Sequence, residues 1–141
     1  MNTILNMVND TKEYLSSNNN NNNKNELLFI KEFKKQKLEK RIKISDNIKL
    51  KYNDRIPIII DSTYFKFGKN KYIVPKDMRI GNFIHMIKNK INLLPEQSIF
   101  LLCNNILLNG SDIINIIYEK YKEEDNFLYI IISLENVFGN K

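Results

Sequence analysis

The clearest periodicity in the chain lies between Ile80 and Ile91. Ile80, Phe83, Ile84, Ile87 and Ile91 recur at the spacing that puts side chains on one face of a helix. Asp77 stands just upstream, where a carboxylate can cap such a helix. The segment Arg55-Ile56-Pro57-Ile58-Ile59-Ile60-Asp61 is β-branched and apolar throughout, the pattern of a buried strand. Pro57 cannot donate to a ladder, so it is expected near the start of that strand or on an unpaired side. Lys69–Pro75, Ser98–Cys103 and Phe127–Ser133 read as three further strands, and Ser111–Tyr121 as a short helix. Asn104-Asn105 predicts a tight turn, because asparagine tolerates positive φ.

Upstream, Leu27, Ile30 and Phe33 fall at helical spacing within Glu26–Arg41, and Ile44, Ile48 and Tyr52 within Lys43–Tyr52, so two short helices are expected there. Residues 1–25 are polar and include the run Asn18–Asn23, too poor in apolar surface to offset the entropy of ordering, and are expected to be disordered. From Arg55 the predicted order is β-β-α-β-α-β. This is an α+β arrangement in which a four-stranded mixed sheet has one covered face, the order of a ubiquitin-like β-grasp roll, here preceded by two helices.

Composition changes this picture in two places. The chain has 23 Ile, 23 Asn and 19 Lys but no Ala or Trp, a bias toward AT-rich codons that discounts the asparagine run as a signal. The formal charge of +6 is localised: residues 24–55 hold 11 Lys or Arg against 5 Asp or Glu, whereas from Ile56 onward the counts are 10 and 9. The basic helices could face an anionic partner or simply be solvated. A single cysteine, Cys103, excludes an internal disulfide and a cysteine-based zinc cluster. No segment has the length of a membrane span, and the N-terminus lacks the pattern of a signal peptide, so the expected compartment is the cytoplasm. Asn2 stands where myristoylation needs glycine, and no C-terminal cysteine is present for prenylation.

Enzymatic chemistry finds little support. His85 lies among the core positions of its helix, and Cys103 ends the apolar run Ile99-Phe100-Leu101-Leu102, where a thiol acts as a small hydrophobe. The acidic group Glu119, Glu123, Glu124 and Asp125 lacks the spacing of a cation loop and reads as a solvated helix end. More telling is Gly139, just beyond a buried strand. It reads either as a flexible end or as a carbonyl open to nucleophiles.

Several blocks in order bear on that choice: Leu38-Glu39-Lys40-Arg41, Lys51-Tyr52-Asn53-Asp54-Arg55-Ile56-Pro57, Lys71-Tyr72-Ile73-Val74-Pro75, Ile80-Gly81-Asn82-Phe83, Tyr118–Asp125, Phe127-Leu128-Tyr129-Ile130 and Glu135-Asn136-Val137-Phe138-Gly139. From about Phe33 to Gly139 the chain resembles the autophagy-related ubiquitin-like modifiers, the family of the microtubule-associated light chain and GABA-receptor-associated types. The resemblance implies a modifier, not an enzyme, with no catalytic residue, cofactor or metal. A processing cysteine protease would recognise Phe138 and cut between Gly139 and Asn140, leaving residues 26–139 as the domain and removing 140–141. Activating and carrier conjugation enzymes would then pass Gly139 to the amine of phosphatidylethanolamine on autophagosome and cytoplasmic vesicle membranes.

The resemblance also implies a peptide groove for cargo receptors bearing aromatic-x-x-aliphatic motifs. One pocket would be formed by Ile48, Pro57, Lys71, Ile73 and Phe127, the other by Tyr72, Val74, Pro75, Met78, Phe83 and Met86, with Arg55 and Lys71 attracting acids that flank the motif. Ile42 and Ile44 replace charged residues of the family, the His-Pro step of its first helix is missing, and the loop from Asp61 to Asn70 is about four residues shorter. The alternative to conjugation is an unconjugated ubiquitin-like binding module, a trafficking or cytoskeletal adaptor. Nucleic-acid binding through residues 24–55 ranks last, since those helices carry no reading motif.

Overall fold

A computed structural model describes residues 26–136. The elements are α1 (Leu28–Phe33), α2 (Leu38–Lys51), β1 (Arg55–Asp61), β2 (Lys71–Pro75), α3 (Ile80–Lys88), β3 (Gln97–Cys103), β4 (Ile106–Leu107), α4 (Ile114–Tyr121) and β5 (Leu128–Asn136). They form one mixed sheet in the order β2-β1-β5-β3-β4. β1 is parallel to β5 and antiparallel to β2, and β3 is antiparallel to both β5 and β4.

β1 is buried from Ile56 to Asp61 because both of its faces are covered. Ile56, Ile58 and Ile60 join Tyr72, Phe83 and Leu128 in the main core. Ile59 points the other way, into a smaller cluster with Phe33, Phe127 and Tyr129, against which Ile30, Ile44 and Ile48 pack. The two-residue period of a strand therefore divides one isoleucine run between two cores. Pro57 fits this scheme. The Ile60 N–H donates to Asn70 and the Lys76 N–H to Asp54. Even-numbered residues of β1 thus bond to β2, and the nitrogen of Pro57 faces the β5 side, ahead of the Ile58–Leu128 pair where that ladder begins.

Several boundaries depart from the sequence expectation. The break between the N-terminal helices falls at residues 34–37, not near Ile42, because Phe33 is anchored in the smaller cluster and Lys37 turns to an extended conformation that starts α2. Asp77 caps nothing in α3. The cap position is Arg79, with no side-chain bond, and the first amides are met by backbone: Ile80 N–H donates to Asp112 C=O and Gly81 N–H to Gly110 C=O, both at 2.8 Å. A Cβ on Gly81 would stand 3.2 Å from that Gly110 oxygen. The sheet has five strands, not four. Asn104 and Asn105, at φ 52° and 62°, make a turn with both central residues left-handed and return the chain as β4. Both β4 residues are exposed, so it carries no alternating pattern to read.

The acidic cluster also differs from expectation. Asp125 is fully buried. It accepts from Arg41 Nη1 at 2.7 Å, from the Phe127 N–H and from the Tyr129 hydroxyl, while its backbone carbonyl accepts from Ser45 Oγ. A residue read as a solvated helix end instead ties α2 to the turn before β5. The expected disorder of residues 1–25 lies outside the described residues.

Candidate functional site

The sheet has β2 at one edge and the two-residue β4 at the other, and the geometry of the β2 edge follows from the register. Ile58 pairs with Tyr72 and Ile56 with Val74 in the bonded positions, so Tyr72 and Val74 spend their backbone groups on β1. The N–H and C=O groups of Lys71 and Ile73 point away from the sheet. The next carbonyl, that of Pro75, accepts from the Met78 N–H at 3.1 Å. The usable edge is therefore two residues' worth of outward donors and acceptors, closed by proline at one end.

Side chains alternate about this edge. Lys71, Ile73 and Pro75 face the N-terminal helices and are exposed or half-buried. Lys71 Nζ sits 5.6 Å from the Phe33 ring centroid, and Phe33 meets Phe127 edge-on at 5.4 Å. Ile48 packs partly buried on this cluster, beside Ile44. Pro57 is buried and Arg55 half-buried. On the opposite face, Tyr72, Val74 and Phe83 are at most 1% exposed, with the Tyr72 and Phe83 rings edge-on at 6.1 Å. Met78 and Met86 lie partly buried beside them.

The first set of residues thus assembles on one face of β2 and the second set on the other, except Pro75, which strand alternation places with Lys71 and Ile73 on the first face and not in the second pocket. Tyr72, Val74, Phe83 and Phe127 are core side chains, able to serve a ligand only as the floor of a pocket. Sequence reasoning omitted Phe33 from the first pocket. Its place in the Leu27–Ile30–Phe33 stripe marked it as buried without saying that it would lie beneath Lys71.

Burial raises the Cys103 thiol to about 11, with a smaller push from the Glu123 charge. It is the opposite of what a nucleophilic thiolate needs. Burial also raises the Asp61 carboxyl, against hydrogen bonds from Ile30 and Ser62 N–H that favour its charge. Among the described residues, no group of three or more His, Cys, Asp or Glu could hold a metal ion. No described helix is long and apolar enough to cross a membrane.

Residues 40–139 match the family model described as autophagy protein Atg8, ubiquitin-like. The chain belongs to the Atg8 ubiquitin-like family. Among its relatives, Autophagy-related protein 8h of Arabidopsis thaliana is 40% identical over 117 residues, spanning 79% of this chain and 98% of that protein. Autophagy-related protein 8 of Cochliobolus heterostrophus is 42% identical over 105 residues, 72% of this chain and 88% of the relative. Of solved structures, Trypanosoma brucei ATG8 superposes with a TM-score of 0.67 at 31% identity, covering 74% of this chain and 93% of the other. Plasmodium falciparum Atg8, solved in complex with a Plasmodium falciparum Atg3 peptide, gives 0.62 at 28% identity over 71% and 92%. The ubiquitin-like fold with preceding helices and the autophagy family are thereby established for this chain. Phe138, Gly139 and Asn140, the expected conjugation and cleavage residues, lie outside the described residues.

Proposed function

We propose that this Atg8-family chain is a lipid-conjugated modifier acting in autophagosome formation. A cysteine protease hydrolyses the Gly139–Asn140 amide, releasing Asn140-Lys141 and leaving the Gly139 carboxylate, with Phe138 as the side chain it grips. An activating enzyme joins that carboxylate to the α-phosphate of ATP, releasing pyrophosphate, its thiol displaces AMP to form a thioester, and a carrier enzyme's thiol takes the acyl group by thioester exchange. The amine of phosphatidylethanolamine attacks the carbonyl, forming an amide and expelling the carrier thiol. The two-chain lipid gives a stable anchor to a domain none of whose described helices is long and apolar enough to cross a membrane. The protein passes from cytoplasm to autophagosome and vesicle membranes as it is conjugated.

The observation that carries this reading is the family match, which continues to Gly139 itself. Its test is Gly139→Ala expressed in starved cells beside the unaltered chain. The expected result is that the parent pellets with membranes and shifts in gel mobility, and that the variant does neither. A parent that stays soluble and unshifted rules conjugation out and leaves the unconjugated binding module.

The second part of the proposal is peptide capture at the β2 edge. An added strand presents alternate residues to alternate faces, so positions separated by three point to opposite faces. An aromatic-x-x-aliphatic motif therefore delivers its two anchors to two pockets on either side of β2, and the Ile48–Phe127 and Met78–Met86 groups are so disposed. Cargo receptors and conjugation enzymes are the partner classes. The Atg3 peptide bound by the Plasmodium relative is a precedent for the latter. Because this edge is open whether or not Gly139 is conjugated, it also supports the binding-module alternative.

A further inference from the structure

Parallel pairing sends β1 and β5 toward the same end of the sheet. Asp61 stands opposite Ile131, and Ser62 Oγ, one residue on, donates to the Ile132 carbonyl at 2.6 Å. β5 continues past that point to Asn136, which is level with Gln97 at the start of β3. Three segments therefore meet at this end: the 62–70 loop, the 89–96 connection into β3, and the exit of β5 toward Gly139.

Two large apolar side chains stand out of this end, Tyr64 at 53% exposure and Leu94 at 56%. The loop that carries Tyr64 is pinned. Ser62 Oγ accepts from the N–H groups of Tyr64 and Phe65 at 3.0 and 3.2 Å, and Phe67 is buried with Phe65 packed against the main core. Lys69 is exposed and Lys66 half-exposed on the same loop, whereas the acids Glu96 and Glu135 lie on the β3 side. An exposed aromatic held on a rigid loop beside lysines suits a lipid interface, where tyrosine sits at headgroup depth and lysine stems reach to phosphate.

We propose that in the conjugated protein this end of the sheet lies against the bilayer, with Tyr64 and Leu94 in the headgroup region and Lys66 and Lys69 toward lipid phosphates. The inference rests on conjugation at Gly139. Gly139 is seven residues from Ile132, the first four of them continuing β5 to Asn136, so the lipid lies at most about 25 Å of extended chain from the Ser62 contact. That tether keeps the 62–70 loop within reach of the membrane while leaving the β2 edge free for peptide.

The test bypasses the enzymes, so that its failure is distinct from a failure of conjugation. A chain ending at residue 139 with Gly139→Cys is coupled to phosphatidylcholine–phosphatidylserine vesicles containing a maleimide-headgroup lipid. The native Cys103 is buried and does not compete. The sequence has no tryptophan, so Tyr64→Trp reports on that position alone. Tethering is expected to shift its emission to the blue and to permit quenching by brominated acyl chains. Lys66→Glu with Lys69→Glu should reduce both effects. Glu124→Trp, on the turn before β5 at the opposite end, should show neither. Position 64 unquenched when tethered, or quenched no more than position 124, overturns the proposal. So does a wild-type-like response in the double glutamate variant.

Discussion

Arg41→Ala tests how the N-terminal helices are held to the ubiquitin-like roll. The Asp125 carboxylate is completely buried and its Arg41 partner is 14% exposed, with Nη1 to Oδ2 at 2.7 Å. Removing the guanidinium leaves a buried anion served only by the Phe127 N–H and the Tyr129 hydroxyl. Breaking a buried pair on one side costs roughly 3–5 kcal/mol. The slight exposure of Arg41 lets water relieve part of this, which puts the expected loss near 3 kcal/mol. In urea, with a slope of about 1.5–2 kcal/mol/M, the unfolding midpoint falls by roughly 1.5–2 M. Circular dichroism follows the transition. Arg41→Lys should recover only part of the loss, because Arg41 Nε also donates to the Gln36 carbonyl and an ammonium on a flexible stem does not reproduce both contacts. The loss should also persist in high salt, since screening acts weakly on buried charges. A loss below about 1 kcal/mol, the value of an exposed pair, would refute the reasoning and return Asp125 to the solvated role that its sequence context suggested.

Two further outcomes are expected. Lys71→Pro removes an outward N–H of β2 without touching its bonds to β1, so stability should stay close to that of Lys71→Ala. Affinity for an aromatic-x-x-aliphatic peptide should drop at least about tenfold relative to Lys71→Ala, reflecting a lost bond of about 1 kcal/mol and the obstruction of the edge; calorimetric titration of both variants checks it, and equal affinities would exclude strand addition there. For Cys103, the fold keeps the thiol protonated to about 11 while the unfolded chain ionises at 9.0. The unfolded state therefore holds fewer protons in this window. Stability should fall as pH rises from 9 toward 11, by up to about 1.4 kcal/mol per unit. Cys103→Ala should lessen that slope, most clearly between pH 9 and 10, since the buried Tyr72 and Tyr129 hydroxyls add a fall of the same sign above 10; an unchanged slope between 9 and 10 would remove the thiol from the account.

The sequence revealed those features that local chemistry determines. The isoleucine run of β1, the Ile80–Ile87 stripe and the Asn104-Asn105 turn each impose a period or a backbone region by themselves, and each sits where its pattern put it. What stayed hidden depends on partners distant in sequence. The first amides of α3 bond to carbonyls of residues 110 and 112, so no upstream capping side chain was needed. Asp125 is buried because Arg41 and Ser45, 84 and 80 residues earlier, come to meet it. β4 consists of two exposed residues whose only signal is the turn before them.

The same distinction governs the candidate site. Family position suggested two pockets but not that β2 would separate them, one on each face of the sheet. Nor did it show that four of the named residues would be core. That result changes how the groove must be probed. Phe83→Ala or Phe127→Ala would cost about 3–5 kcal/mol of fold stability, so a loss of peptide binding in either variant would say nothing of contact. The informative positions are those where the backbone or an exposed stem faces outward, Lys71 and Ile73 on the edge and Met78 and Met86 beside it. At these positions binding can change while the fold does not, and so the groove can be tested separately from the core beneath it.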